Sequence, residues 1–292
     1  MSLLVIVLVL LSTIMHASWN LIARYGRSES TFYAKMLITI AVAGFVPAVW
    51  SEVVTRSLTV TAWLCVLGSG FSAGLYLFFL ARAFESSDFT VVYPVARSLP
   101  VVFVALGDVL RGRYLTPMGW LGILLVAGGC VLVPTRSFGE FELRRYFNRS
   151  TLWMLLAALG TVGYTLLDKI AAEVVQQGPD TAARYGYFYF TVSYLPYVLL
   201  LRFSKQGQQK PSSMEWRLAI PAGLLSFVAY WLILWAYQLS PYASYIVAFR
   251  QFSIVIGAIM AFILYKEQGV AVRLTGALFI TSGLVLIAGW GR

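Results

Sequence analysis

Charged residues are scarce in this sequence of 292 residues: Asp, Glu, Lys and Arg together make up 12% of it. A soluble domain carries about 25% charged residues, so about half of the usual charge is missing. Apolar residues account for 60% of the chain, and the mean hydropathy is +0.79. This composition excludes an ordinary cytosolic enzyme, a disordered protein and a disulfide scaffold, and it indicates that lipid surrounds most of the chain.

Residues and motifs that carry common chemistry are also scarce. The single histidine, His16, excludes HExxH and other sites with two histidine ligands. A Walker A loop, a voltage-sensor arginine ladder and a channel filter motif are absent from the sequence. Cys65 and Cys130 lie in apolar runs, where we expect buried thiols and no disulfide. We therefore expect no enzymatic activity, no cofactor and no metal.

Long apolar runs fill most of the chain. A helix needs about 20 mostly apolar residues to cross about 30 Å of hydrocarbon, and only helices satisfy the backbone within such runs. The connections between the runs are too short to form separate domains. We predict an all-α integral membrane protein with ten transmembrane helices, at approximately Leu3–Ala23, Tyr33–Trp50, Val60–Ala81, Thr90–Val109, Thr116–Pro134, Thr151–Ala171, Arg184–Arg202, Arg217–Gln238, Ala243–Leu264 and Val270–Gly289.

The basic residues mostly flank these runs. Lys and Arg number 22 against 12 Asp and Glu, for a net charge of +10. We expect membrane lipid headgroups as the anionic partner, and no nucleic acid. The connections after spans one, three, five, seven and nine hold most of the Lys and Arg residues. The positive-inside rule would place these connections in the cytoplasm and both termini outside.

The two halves of the sequence are similar to each other. An alignment at an offset of about 153 residues superposes Arg97 on Arg250, together with small residues and a short polar connection. At an offset of about 154 residues, Gly122 falls on Gly276 and Gly129 on Gly283. Self-similarity of this kind predicts an architecture of two repeats.

We place the first five-helix repeat at residues 1–134, a connecting loop at 135–150 and the second five-helix repeat at 151–292. Five spans per repeat is an odd number, so the second repeat must enter the membrane from the opposite side. Such inverted halves are typical of transporters, because they permit two conformations of similar energy that open to opposite sides.

Two arginines interrupt apolar runs at repeat-related positions. Arg97 and Arg250 each lie about seven residues into a span, where an ionisable group costs about 2.5–3.5 kcal/mol to insert. Pro94 and Pro100 flank Arg97, and we expect them to weaken helical hydrogen bonding there. The guanidinium groups either face a central cavity and attract a carboxylate or phosphate, or pair with internal acids and carbonyls, or reach towards a surface.

Polar residues form a stripe on the first span. Spacings of three and four place Ser12, His16, Trp19 and Asn20 on one helical face. The stripe either lines a cavity that holds solute or joins helices through hydrogen bonds. His16 is the only side chain that titrates near neutrality without a perturbing environment, so proton coupling through it is a further interpretation.

Other spans carry similar faces. Tyr164 and Asp168 share a stripe of span six, and Asp168 and Lys169 lie near its end, where either a surface position or a site is open. We expect Gly70 and Gly74 of span three to form a close helix contact. We assign Tyr185, Tyr187 and Tyr189 to an interfacial aromatic belt. The candidate solute-binding residues are His16, Trp19, Asn20, Tyr76, Tyr93, Arg97, Tyr164, Tyr230 and Arg250.

Three segments resemble the EamA-like branch of the drug/metabolite transporter superfamily: HASWN, YPVARSLPVVF and LYKEQGVAVRLTGALFITSGLVLI. The last is similar to the family's Glu-then-Gly-rich final hairpin, with Glu267, Gly276 and Gly283 in the expected places. The first half departs from the pattern, because Arg113 stands where the family has Glu. The resemblance implies a solute exporter or exchanger with a central cavity built from both halves, and with both termini inside the cell, contrary to the charge count.

These patterns predict a secondary transporter of a small organic metabolite, anionic or zwitterionic, that works by alternating access. We expect a multi-pass protein of the cell (inner) membrane. The alternatives are a non-transporting membrane protein, such as a lipid-modifying enzyme or an assembly partner, and a pore. The sequence does not define the solute, the coupling ion or the oligomeric state.

Overall fold

The computed structural model describes residues 1–26, 31–86, 89–133, 135, 149–203, 213–256, 259 and 270–291. Within these ranges the chain is all-helical and contains no strand. A short helical stretch at residues 252–256 follows the ninth helix. The helices of eight or more residues are α1 (Leu3–Gly26), α2 (Thr31–Thr55), α3 (Val60–Ser86), α4 (Phe89–Leu110), α5 (Pro117–Leu132), α6 (Arg149–Val174), α7 (Pro179–Arg202), α8 (Ser213–Leu239), α9 (Ala243–Arg250) and α10 (Val270–Trp290).

Six of these helices, α1, α2, α3, α6, α8 and α10, are long and apolar enough to cross a membrane. Large apolar side chains such as Val42, Phe45 and Leu278 are more than half exposed on their outer faces. Water does not favour such surfaces, whereas lipid does. The chain is therefore a multi-pass integral membrane protein, and the number of ten spans stays a prediction.

Both ends of the described chain lie at one end of the helix bundle, which we call the terminal end. Met1 and Ser2 lie beside residues 239–242, the connection between α8 and α9. The Thr116 hydroxyl at the start of α5 donates to the Trp290 carbonyl, 2.9 Å away. Across the α2–α3 and α6–α7 connections, Arg184 Nε donates to Ser57 Oγ at 2.9 Å. Each of these connections thus returns the chain to the same end.

The packing of the helices follows a repeat of five. When two helices pack together, the helices five places away in the other half of the chain also pack together. The α3 helix packs on α6 as α8 packs on α1, and α3 packs on α7 as α8 packs on α2. The α4 helix packs on α6 as α9 packs on α1. Two similar five-helix units related by a two-fold axis produce this pattern, so the two-repeat architecture fits the structure.

Corresponding helices run antiparallel where they touch. A Cβ atom at Gly122 would lie 2.7 Å from the Gly283 carbonyl oxygen, and one at Gly129 would lie 2.5 Å from the Gly276 carbonyl oxygen. A step of seven residues towards the C-terminus of α5, from Gly122 to Gly129, thus corresponds to a step of seven residues towards the N-terminus of α10, from Gly283 to Gly276. The absence of side chains lets the two backbones touch, as in small-residue contacts between membrane helices. The α2 and α7 helices are also antiparallel, since Tyr33 contacts Tyr197 while Ser51 contacts Arg184.

The prolines on either side of Arg97, which we expect to weaken helical hydrogen bonding, do not break the helix. The α4 helix is continuous from Phe89 to Leu110, because each proline removes one N–H group but its fixed φ is compatible with a helix. A helix end lies at the repeat-related arginine. The α9 helix ends at Arg250, and the Gln251 N–H group bonds to the Ala248 carbonyl three residues back.

Candidate functional site

A cavity of about 80 Å³ lies near the middle of the bundle. Helices from both halves of the chain surround it, so it lies where the two units meet. Its wall is rich in aromatic and hydroxyl side chains. The residues that line it are Ser12, His16, Trp19, Tyr33, Met36, Leu37, Ile40, Ala73, Tyr76, Leu77, Tyr164, Tyr189, Phe190, Ser193, Ser226, Ala229, Tyr230 and Arg250.

Four tyrosines form one aromatic wall of this cavity. Tyr164 contacts Tyr76, Tyr189 and Tyr230 edge-to-face, with ring centroids 5.8, 6.0 and 6.0 Å apart. Tyr189 and Tyr230 are stacked, with centroids 4.7 Å apart and an angle of 25° between the rings. Interlocked rings of this kind hold one another in place and present π faces and phenol groups to a bound molecule.

Arg250 supplies the positive charge of the cavity wall. It is the last residue of α9, and its guanidinium carbon lies 5.6 Å from the centroid of the Tyr230 ring. A cation over a ring face is stabilised by about 0.5–2 kcal/mol, which helps to hold the charge inside the bundle. The planar guanidinium group can donate two parallel hydrogen bonds to a carboxylate or phosphate.

The structure brings six of the nine candidate residues of the sequence together on the cavity wall. They are His16, Trp19, Tyr76, Tyr164, Tyr230 and Arg250. Ser12 of the predicted stripe also lines the cavity, and its hydroxyl donates to the Ala229 carbonyl at 2.6 Å. Trp19 Nε1 donates to His16 Nδ1 at 3.1 Å, so these two side chains of α1 orient each other.

The other three candidates have different outcomes. Asn20 Nδ2 donates to the carbonyl oxygen of His16 at 2.8 Å, which directs this amide to its own helix. Arg97 Nη2 donates to Ser253 Oγ at 3.4 Å, and this arginine is outside the cavity wall. The repeat-related arginines therefore have different environments. The side chain of Tyr93 lies outside the described residues.

Tyr189, which the sequence assigned to an interfacial belt, lines the cavity instead. Tyr185, Tyr187 and Tyr189 are all buried, with 3–5% of each side chain exposed. The spacing of four between Tyr185, Tyr189 and Ser193 is the same signal that identified the stripe on α1. The assignment to an aromatic belt was wrong because it considered composition and not helical face.

Asp168 and Lys169 are both buried, with 1% and 2% exposed, so the surface alternative for these residues is wrong. Asp168 lies behind the aromatic wall. Its carboxylate accepts hydrogen bonds from the hydroxyls of Tyr185, at 2.7 Å, and Tyr230. The Tyr185 hydroxyl is also 3.1 Å from Ser69 Oγ. A buried carboxylate is thus separated from the cavity by a single phenol group.

Lys169 points in another direction, towards the connection between α8 and α9. Its ammonium group donates to the Tyr237 and Ser240 carbonyls at 2.8 and 2.6 Å, and it pairs with Glu173 at 3.2 Å. The last carbonyls of a helix carry partial negative charge, so a cation stabilises them. Lys169 therefore ties the end of α6 to the end of α8.

Asp108 at the end of α4 holds the other side of the same connection. Its carboxylate accepts hydrogen bonds from the backbone N–H groups of Ser244 and Ala243, at 2.8 and 3.3 Å. Arg111 pairs with Glu173 and lies 3.7 Å from Asp108. Charged residues at the ends of α4 and α6 thus fix the α8–α9 connection at the terminal end of the bundle. We call Asp108, Arg111, Lys169 and Glu173 the junction cluster.

The described residues contain no cluster of metal-binding side chains, and their GxSxG sequence does not have the geometry of a nucleophile. They contain no group of three or more His, Cys, Asp or Glu side chains that could hold a metal ion. Residues 70–74 read Gly-Phe-Ser-Ala-Gly, which matches the GxSxG pattern of some hydrolases. That pattern requires a sharp turn between a strand and a helix. Ser72 lies instead inside α3, and its hydroxyl donates to the Gly68 carbonyl at 2.8 Å.

Comparisons with known proteins agree with this architecture. A family model described as "EamA-like transporter family" matches residues 3–135 and 148–289. A comparison with curated protein sequences gave no match. A solved structure described as "Crystal structure of protein" is similar with a TM-score of 0.72 and 15% sequence identity. The similarity covers 99% of this chain and 98% of that one, and at this identity it shows the fold alone.

Proposed function

The chain belongs to the EamA-like transporter family, and from this membership we propose that it is a secondary transporter of a small organic metabolite. It exports or exchanges the solute by alternating access in the cell (inner) membrane. The observation that carries this proposal is the central cavity, whose wall includes five tyrosines and one guanidinium group. A chamber near the middle of the membrane, between two similar helical units, is the usual location of a transporter substrate site.

All ten helices cross the membrane in this proposal. Residues 1–134 form one five-helix repeat, residues 135–150 the connecting loop and residues 151–292 the inverted second repeat. The antiparallel contact between α5 and α10 supports the inversion, since these are the last helices of the two repeats. Inverted repeats can exchange their conformations, and this exchange opens the chamber to each side in turn.

The solute is a small anion or zwitterion that binds its anionic group at Arg250 and its remaining groups among His16, Trp19, Tyr76, Tyr164 and Tyr230. Arg97, Asn20 and Tyr93 complete the candidate set as neighbours of this site. The cavity volume of about 80 Å³ is well below the roughly 300–1,000 Å³ of most ligand pockets. A solute of the size of an organic acid therefore requires helix movements that enlarge the cavity, as alternating access demands.

Counterflow in liposomes tests the proposal. Purified protein is reconstituted, and the vesicles are loaded in turn with unlabelled lactate, glutamate, citrate, glucose 6-phosphate or neutral glucose. We expect saturable uptake of the labelled form of at least one anionic or zwitterionic compound, above that of empty liposomes. Uptake of no compound by folded protein would contradict the proposal and favour a non-transporting membrane protein. Single-channel currents would indicate a pore.

A further inference from the structure

The proposed solute site does not use the carboxylate of Asp168, which is nevertheless buried beside it. Its side chain is 1% exposed, and it lies within the helical bundle and not at a surface. Burial of an ionised carboxylate is costly unless hydrogen bonds and opposite charges compensate for it. Ionisable residues inside membrane segments are rare, and they mark pathways of ions and protons.

Neighbouring helices supply the partners of this carboxylate. The groups that interact with it by hydrogen bonding or electrostatically are Cys65 and Ser69 of α3, Tyr185 and Tyr189 of α7, Tyr230 and Tyr237 of α8, and Arg250 of α9. Two of these partners, Tyr185 and Tyr230, donate hydrogen bonds directly to its oxygens. Arg250 contributes the positive charge.

Tyr230 connects the carboxylate with the solute chamber. Its hydroxyl donates to Asp168, whereas its ring lines the cavity and lies beneath the Arg250 guanidinium group. Any change in the hydrogen bond at Asp168 is therefore transmitted to a side chain that contacts the solute. The same ring also connects the negative charge of Asp168 with the positive charge of Arg250.

We propose that Asp168 is the proton-binding residue that couples solute movement to a proton gradient, with Tyr230 as the link to the solute. This inference rests on the proposed transport function. The step transfers one proton from a hydronium ion to a carboxylate oxygen: one O–H bond of hydronium breaks, one carboxyl O–H bond forms, and water leaves. The neutral carboxyl group carries an O–H donor, so one of the two phenols can accept a hydrogen bond from it instead of donating one. The hydroxyl hydrogen of that phenol is then free to turn towards the cavity.

Protonation also changes the charge balance of the chamber. While Asp168 is ionised, its negative charge partly cancels the positive charge of Arg250. Once it is neutral, the guanidinium charge attracts an anionic group more strongly, so proton and anion bind cooperatively. Proton and solute therefore travel together, and an anionic metabolite that leaves down its own gradient carries the proton with it.

Solute-driven proton movement tests the coupling in liposomes that contain a trapped pH-sensitive dye. The probe is the carboxylate that gives the fastest counterflow among lactate, glutamate and citrate. An inward gradient of this probe should acidify the interior of wild-type vesicles. We expect Asp168→Asn to abolish this signal and to retain counterflow, and Asp168→Glu to preserve both. The matched control is Asp180→Asn, an exposed acid in the first turn of α7, which should behave as the wild type.

Infrared difference spectroscopy of purified protein over a pH range provides a measurement that needs no solute. A protonated carboxyl band should appear on acidification, vanish in Asp168→Asn and change frequency in Tyr230→Phe, which removes one hydrogen bond without removing the acid. An identical band in wild type and Asp168→Asn would overturn the inference.

The proton-coupling proposal and the transporter proposal can be refuted independently. Probe transport by wild type without proton movement would refute the role of Asp168 and leave the transporter proposal standing. Absence of transport for every compound would contradict the transporter proposal, and the infrared titration would still decide whether Asp168 binds a proton. If Asp168→Asn does not fold, Tyr185→Phe and Tyr230→Phe provide the comparison, because both retain the carboxyl group.

Discussion

At the residue scale, the two arginines of the repeats have separate environments. Arg250 lines the cavity and lies over Tyr230, whereas Arg97 bonds to Ser253 outside the cavity wall. The sequence predicted their equivalence, since they superpose in the repeat alignment. It could not predict the difference, because the partners of each arginine come from segments that are distant in sequence.

Replacement of Arg250 by Gln should weaken the binding of anionic solutes by about 10- to 100-fold. A hydrogen bond to a charged group contributes about 1.5–3 kcal/mol, and neutral solutes do not use this charge. Competition for counterflow by anionic and neutral compounds measures the effect. Arg250→Lys retains the charge and should lie between wild type and Gln.

Arg97→Gln should reduce the transport of anionic and neutral compounds equally, because Arg97 lies outside the cavity wall. Equal losses in Arg250→Gln would indicate a folding role for that residue too. A loss specific to anions in Arg97→Gln would place it in the solute path.

The helical spacing rule predicted part of the candidate site. It identified Ser12, His16 and Trp19, and all three line the cavity. The same rule applied to α7 would have found Tyr189 and Ser193. Asn20 has the correct spacing but bonds to its own backbone, which periodicity does not reveal. The role of the candidate residues in binding a solute stays a prediction.

At the scale of helices, glycines mark the faces on which neighbouring helices pack most closely. Gly70 and Gly74 were predicted to form a close contact, and they do: Cβ atoms there would lie 2.7 Å from the Val192 Cβ atom and 2.6 Å from the Ser193 carbonyl oxygen. The all-helical class followed from the length of the apolar runs. The pairing of the helices did not follow, because lipid-facing and buried apolar residues have the same composition in a membrane.

Gly129→Ala should destabilise the contact between α5 and α10. The added methyl group would meet the Gly276 carbonyl oxygen at 2.5 Å, and overpacking of this kind costs about 1–3 kcal/mol. The control is its neighbour, Gly128→Ala, whose methyl group would lie 3.8 Å from Phe279, an ordinary contact. Thermal unfolding in detergent should show a lower midpoint for Gly129→Ala only. Equal midpoints for the two variants would contradict the contact.

Asp108→Ala should destabilise the start of α9 more than Asp108→Asn does. The carboxylate accepts two backbone hydrogen bonds, and loss of a helix N-cap costs about 0.5–2 kcal/mol. Asparagine retains one oxygen acceptor for this role. Hydrogen exchange at Ala243 and Ser244 measures the effect locally, and unchanged protection in Asp108→Ala would disprove the capping role.

At the scale of the whole molecule, the described even-numbered connections and both ends of the chain lie at the terminal end. The sequence predicted this alternation, but its charge pattern and its family resemblance imply opposite orientations in the membrane. The charge pattern and the resemblance are both indirect signs of how the first helix inserts, so the orientation requires an experiment. A C-terminal reporter that is bright only in the cytoplasm decides between them.

Accessible cysteines test the same topology with finer resolution. Thr59→Cys, Gln176→Cys and Pro241→Cys replace exposed residues of three connections at the terminal end. A membrane-impermeant maleimide should label all three from the side where the C-terminus lies, and label Phe203→Cys, an exposed position directly after α7, only from the other side. Cys65 and Cys130 are buried and free, so they should add little background. Labelling of the three from both sides would contradict the proposed arrangement of spans.

Asp168 and Lys169 are consecutive residues of one helical turn, and this adjacency has a mechanical consequence. Successive side chains on a helix project about 100° apart. Asp168 therefore bonds to Tyr230 beside the chamber, while Lys169 bonds to the Tyr237 carbonyl at the end of α8. A small torsion of α6 about its axis must move both contacts at once. This one helical turn therefore joins the wall of the chamber to the terminal end of the bundle.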